Sequence, residues 1–490
     1  MRSIFINFSA RVSRRILNAM PLRKPLGQSV DWQQRQALYR NFSKLYALGF
    51  FFGLHLVVPI FVPLLQGHGL SMSQIMQTQA IFALTVAALE LPSGYMADLW
   101  GRKQALIIGS LVSTCGFLVL QQATSFMDFI IFEVLMGIAV SLCSGADLAL
   151  LYDTQIALDQ HFAKEGRDRV KGADDSTNIK ARKPASSAKT FARLLSISSV
   201  AEGLAGLLAT ALLFWSLEWL LVFQLLISIV PVLIACTLVE APALSDVDSK
   251  RAIVQANEQD KLPDSIQGNT QDNISDSMAG KKKLQSTQVI SVLLALKPLV
   301  LWIGATIIIF GLIGLYAFWL HQKYWELAGI DIRFFGCIWA AFCLVRAVAA
   351  HYSEAAEALL GYRRLLILAC VLTLIALIAM AFAPLTIGIV VSLLMPLGRG
   401  LGYVVLIDAL NSRIDGVYRA TLNSLISLVS RAVFIVTGPL LGLAIDYHGT
   451  RMTAVLLLMI AAPCLILMTL GLLRSIDRDK NRPVVVKHYS

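Results

Sequence analysis

Charge is scarce in this chain, and so are the residue patterns that carry chemistry in soluble enzymes. Asp, Glu, Lys and Arg make up 15% of the 490 residues and hydrophobic types 57%, where an ordinary globular domain has about a quarter charged and about half apolar. That balance excludes a soluble globule and predicts a chain threaded through a bilayer. The seven cysteines, Cys115, Cys143, Cys236, Cys337, Cys343, Cys370 and Cys464, lie in or beside apolar runs, with no Cys-x-x-Cys spacing and no paired histidines. Neither a disulfide framework nor a metal site is indicated. No nucleotide-binding glycine loop is present to couple the chain to ATP. A zinc-protease helix, a pair of aspartates and a serine-histidine set are likewise missing from the apolar runs, so an intramembrane enzyme is weakly supported and no cofactor is implied.

What charge there is has one sign in excess, a net +11. The basic residues crowd the tails and alternate loops, which reports topology rather than a nucleic-acid partner. Residues 1–41 carry Arg2, Arg11, Arg14, Arg15, Arg23, Lys24, Arg35 and Arg40 with no acid before Asp31, and no apolar stretch there is long enough for a cleaved signal peptide. Residues 2–20 read as a basic amphipathic helix on the inner leaflet, with an organellar transit peptide as the alternative.

Runs long enough to cross a bilayer, about 20 residues each, fall at 42–66, 74–97, 104–122, 126–150, 190–214 and 217–239, and again at 289–320, 329–352, 363–383, 385–410, 418–446 and 451–474. The chain therefore reads as an all-α membrane protein of twelve transmembrane helices, arranged as two pseudo-symmetric six-helix bundles, 42–239 and 289–474. A polar 240–288 linker joins them, a basic insert at 151–189 follows the fourth span, and 475–490 forms a tail. Of the loops expected outside, only Lys323, Arg333 and Arg451 supply cations, so both termini are expected in the cytoplasm.

One polar hinge interrupts the apolar pattern, Glu90-Leu-Pro-Ser-Gly94-Tyr-Met-Ala-Asp98-Leu-Trp-Gly101-Arg102-Lys103. Gly94 removes a side chain where helices approach, and Gly101 permits a sharp reversal. Arg102 and Lys103 hold the loop inside, while Asp98 can accept bonds from an exposed helix N-terminus. Gly94-x-x-x-Asp98-x-x-Gly101-Arg102-Lys103 resembles the loop between helices 2 and 3 of the major facilitator superfamily. The resemblance implies that Asp98 braces the cytoplasmic side against helix 11 in one of two alternating conformations. Glu354-Ala-Ala-Glu-Ala-Leu-Leu-Gly361-Tyr-Arg-Arg364 occupies the corresponding place in the second half as a degenerate copy. Ser144-Gly-Ala-Asp-Leu-Ala-Leu-Leu-Tyr-Asp153, Leu410-Asn-Ser-Arg and Arg419-Ala-Thr-Leu-Asn-Ser424 are similar to runs in a bacterial branch of that superfamily containing drug and metabolite exporters.

Ionisable groups inside the hydrocarbon are costly enough to need a partner, water or a purpose. They sit in the spans that, by the resemblance, line a central cavity: His55, Glu90, Glu133, Asp147 and Glu202 in the first half, Arg346, Arg399, Asp408 and Arg431 in the second. Glu133, Gly137, Val140, Ser144 and Asp147 share one stripe of a fourth helix, and Ser424, Leu428, Arg431, Ile435, Gly438 and Gly442 one of the eleventh. These groups read either as a substrate and proton pathway or as ion pairs fixing the packing. A lone His55 is also read as a packing residue, and Pro59 and Pro63 as a bend in the first helix.

Two departures qualify the resemblance. Glu133 stands where many members place an arginine before x-x-x-Gly, and the antiporter glycine motif of the fifth span is reduced to Glu202-Gly203 and Gly206, with Gly438-Pro439-Leu-Leu-Gly442 in the eleventh instead. The expected activity is secondary active transport of a small organic molecule by alternating access, coupled to protons and directed outward, by a monomer in the inner membrane. Proton symport or facilitated uptake is the alternative. A transport-dead receptor or scaffold is the alternative from a different class.

Overall fold

A computed structural model describes residues 29–170, 187–240, 298–414 and 416–480. The expected amphipathic segment 2–20, the middle of the 151–189 insert, nearly all of the 240–288 linker and the end of the 475–490 tail lie outside the described residues.

The described chain is all helix. In order, its helices are α1 (Ser29–Gly53), α2 (Phe61–Gly67), α3 (Met72–Trp100), α4 (Arg102–Gln122), α5 (Phe126–Cys143), α6 (Ala146–Val170), α7 (Ser187–Leu213), α8 (Leu217–Cys236), α9 (Pro298–Leu327), α10 (Phe335–His351), α11 (Ser353–Phe382), α12 (Leu385–Ser392), α13 (Leu394–Asn411) and α14 (Gly416–Lys480). Eleven stretches among the described residues are long and apolar enough to cross a membrane. The last, Leu422–Ile476, is 55 residues long and is broken at Gly449, whose φ of 76° no helix contains. It therefore supplies two crossings, which brings the described helices to the twelve expected spans. The helix ends differ from the hydropathy boundaries. α1 begins at Ser29, inside the expected tail, and α6 continues to Val170, inside the expected insert.

Apolar faces bury these helices, and local polar residues end them. Ser125 and Asp128 form a capping box at the start of α5, and the Ser216 hydroxyl accepts from the Trp219 N–H to start α8. Asp331 begins the 3-10 turn Ile332–Phe334, accepting from the Arg333 backbone at 2.9 Å. Hydrogen bonds from the Arg333 guanidinium and backbone hold the Asp331 carboxyl down at about 2, so that ion pair is kept through the whole neutral range.

Two compact units divide the chain. The first comprises the described parts of Met1–Leu70, Gln77–Leu244 and Asp331–Cys343, and the second those of Ser71–Met76, Ser245–Ile330 and Leu344–Ser490. Each thus takes in a short segment from the other half of the sequence: the first turn of α3 packs in the second unit, and the first half of α10 in the first. Leu38, Leu45, Leu106, Leu150, Leu151 and Leu238 belong to one core of the first unit. Ile303, Ile307, Leu366, Leu406, Leu410 and Leu472 belong to one core of the second.

Candidate functional site

Two of the spans expected to line a cavity lose helical backbone part-way across. In the first span, α1 stops at Gly53, a 3-10 turn follows at Val58–Ile60, and α2 resumes the crossing. Pro59 lies in the 3-10 turn and Pro63 in the first turn of α2, where each lacks the N–H that would continue the ladder. The Leu56 N–H freed by the break is buried, and it donates to Gln224 Oε1 of α8 at 2.5 Å. Gln224 is itself only 2% exposed. His55 sits in the same break, its ring 5.7 Å from that of Phe117 on α4.

The fourth span breaks as well, which corrects the single stripe expected of it. α5 ends at Cys143, Ser144 is extended, and Gly145 adopts a φ of 91° before α6 begins. Ser144 and Asp147 therefore do not continue the helical phase of Glu133 and Gly137, because a glycine with positive φ resets the backbone direction. Asp147 falls in the first turn of α6, where its carboxylate accepts from the Leu148 N–H at 2.6 Å. The tenth span, by contrast, is only marked by a turn at Leu393 between α12 and α13, where a φ of −60° and a ψ of −18° keep the backbone helical. Non-helical backbone at membrane depth is tolerated only where protein or an aqueous space satisfies it.

Glu133 is the most enclosed of the predicted acids among the described side chains, 4% exposed. Its carboxylate accepts a hydrogen bond from Gln79 Nε2 on α3. A Cβ on Gly137, one turn further along α5, would lie 2.7 Å from Thr85 Cβ, so the glycine is what lets α5 and α3 close around this pair. Glu202 on α7 lies with its carboxylate 4.0 Å from Cys343 Sγ of α10. Just beyond, Gly206 and Gly336 meet backbone to backbone, leaving no room for a Cβ on either. Glu90 is half-buried on α3.

In the second unit, Arg399 lies across the bare backbone of α9, where a Cβ on Gly314 would come within 2.6 Å of Nη1. A Cβ on Gly400 would come equally close to the Arg346 carbonyl, which packs α13 onto α10. Arg431 Nε donates to Ser427 Oγ at 3.4 Å, and Tyr316 Oη shares a 2.5 Å hydrogen bond with Thr437 Oγ1. Asp408 is exposed.

The hinge takes the expected shape. Gly101 has a φ of 96° and its echo Gly361 one of 76°, with nearly equal ψ of 148° and 153°. The degenerate copy keeps the fold of the turn after losing most of its letters. Arg102 is ion-paired with Asp153. Gly94, expected at a close helix contact, instead has open space around it. Asp98 lies near the end of α3, its side chain outside the described residues.

Several partners escaped the sequence reading. Gln224 is a single amide within an apolar run, and that isolation is the signal that could have found it, whereas Gln79 follows Gln74 and Gln77 and does not stand out. Glu240, just past the sixth span, accepts from the Arg102 and Lys103 N–H groups at 2.9 and 3.0 Å, capping α4. Asn41 is fully buried and exchanges two hydrogen bonds with the backbone of Val239.

A family model described as Major Facilitator Superfamily matches residues 45–154, and one described as MFS_1 like family matches residues 182–456. The chain belongs to the major facilitator superfamily: it is a multi-pass membrane protein, a transporter and not an enzyme. Curated proteins include no match to it. Among solved structures, a bacterial homolog of the human lysosomal transporter Spinster is 15% identical, with a TM-score of 0.62 over 92% of this chain and 99% of that one. The nucleoside transporter NupG is 12% identical, with a TM-score of 0.58 over 89% and 98%. A D-xylose-proton symporter is 11% identical, with a TM-score of 0.61 over 91% and 98%. At such identities the likeness is one of fold.

Proposed function

We propose that this transporter exports a small organic molecule from the cell in exchange for protons, by alternating access, with Glu133 as the acid that carries the proton. It works as a monomer in the inner membrane with both termini in the cytoplasm. The observation that carries the reading is the enclosed Glu133 carboxylate with an amide, Gln79, for its hydrogen-bond partner. Taking a bare carboxylate out of water is costly, so a group alternately enclosed and wetted takes up a proton in one state and releases it in the other. Glu202, Asp147, Glu90 and His55 in the first half, and Arg346, Arg399, Asp408 and Arg431 in the second, complete the pathway for substrate and charge. Gly94, Asp98, Gly101, Arg102 and Lys103 form its conformational gate.

Direction and substrate are tested together. Metabolite profiles of medium and cytoplasm from a deletion strain and an overproducer identify the compound that moves. Everted vesicles then report protons released from the lumen when it is added. In the Glu133→Gln variant, uphill transport is expected to fall at least tenfold while substrate counterflow persists, since exchange needs no net proton movement. Uphill flux that ignores an uncoupler would sink proton coupling, and accumulation of the compound inside the overproducer would reverse the direction to uptake.

A further inference from the structure

The spacing of the hinge occurs a second time. Gly94-x-x-x-Asp98-x-x-Gly101 is matched residue for residue by Gly442-Leu-Ala-Ile-Asp446-Tyr-His-Gly449. The match extends to the backbone, because Gly449 turns the chain with a φ of 76° and a ψ of 170°, as Gly101 does with 96° and 148°. In this second copy the aspartate's partner is visible. Asp446 Oδ1 accepts from the Met72 N–H at 2.9 Å and Oδ2 from the Ser73 N–H at 2.8 Å. These are the first two residues of α3, whose N–H groups have no partner within their own helix. Gly442 makes the approach possible, since a Cβ there would lie 2.6 Å from the Met72 carbonyl oxygen and 2.7 Å from Ser73 Cα.

The two copies therefore address opposite ends of one rod. α3 has 29 residues, about 43 Å at 1.5 Å per residue; Asp98 lies in its last turn, and Asp446 grips its first. We propose that the Gly442–Gly449 turn is a second conformational latch, in which the Asp446 carboxylate holds the N-terminus of α3, and that the two turns bias the transporter toward opposite states. The clause about Asp98 rests on the carrier reading above; the grip of Asp446 on α3 does not. A carboxylate at a helix N-terminus is favoured by both its hydrogen bonds and the helix dipole. Asp446 is exposed, which keeps the grip weak enough to open and close.

A thiol reports the latch without any transport measurement. Ser73 is 7% exposed, and Ser73→Cys keeps the backbone N–H that Asp446 binds. The full-length chain, with its native cysteines replaced by alanine, is placed in nanodiscs so that both faces meet a hydrophilic maleimide. Asp446→Ala is expected to raise the labelling rate about fivefold, the population shift that follows from losing one charged cap. Asp446→Asn, which keeps its shape and one acceptor oxygen, is expected to raise it by less and guards against a misfolded alanine variant. Asp98→Asn is expected to lower it. Unchanged labelling in the Asp446→Asn and Asp446→Ala proteins overturns the latch, and a rise with Asp98→Asn overturns the opposition between the turns. Neither result depends on proton coupling, which fails or stands by the vesicle assay alone.

Discussion

The turns at Gly94–Gly101 and Gly442–Gly449 share a spacing and a backbone shape but differ in how closely the leading glycine is packed. Around Gly94 there is open space, whereas Gly442 is pressed against the backbone of Met72 and Ser73. The first turn is capped from within its own unit, by Glu240 on the N-terminus of α4. In the second, the carboxylate of the turn itself does the capping, on a helix distant in sequence. One spacing thus serves two surroundings, with its leading glycine open at Gly94 and pressed into a neighbouring helix at Gly442.

Valine substitution gives the widest separation between the two turns. Gly442→Val forces a side chain into backbone atoms that cannot yield, and is expected to cost about 2 kcal/mol by overpacking. Gly94→Val meets nothing and is expected to stay within about 0.5 kcal/mol of the parent. Thermal unfolding in one detergent checks both, and equal losses would erase the distinction between the open and the packed glycine. Alanine at the turning glycines is the sharper comparison. Gly101→Ala and Gly449→Ala both place a Cβ at positive φ, and each is expected to lose about 1 kcal/mol; a large inequality would show that the shared angles hide different strain. A local effect is expected of Glu240→Ala, which removes the cap from the first turn alone. It should cost about 1 kcal/mol at most, because the carboxylate is solvent-exposed. Hydrogen exchange at the Arg102 and Lys103 amides is the local readout, and unchanged protection there would remove Glu240 from the account.

The fold was legible from the sequence because lipid imposes a simple requirement: each crossing needs about 20 apolar residues in a self-satisfied helix. The twelve runs, the Gly101 reversal and even the degraded echo at Gly361 follow from hydropathy and the special freedom of glycine. The second latch was present in the spacing of Gly442, Asp446 and Gly449, but only the structure shows which distant N–H groups that aspartate meets. The breaks were harder to read. Pro59 and Pro63 announce the one in the first span, yet Gly145 within Ser144-Gly-Ala-Asp gives little warning that α5 stops and α6 begins anew, since small residues are common in membrane helices. Buried amides such as Gln79 and Gln224 were passed over because they carry no charge. Their importance comes from what they face, and one-dimensional periodicity does not disclose that.

The bond from Leu56 to Gln224 has a mechanical consequence. A crossing with a gap in its ladder would ordinarily pivot there, but this gap is stitched to α8, so the upper and lower pieces of the first span share an anchor. Removing that one amide would free the joint while leaving every charged group in place, which makes position 224 the point at which rigidity of the frame can be varied independently of its chemistry.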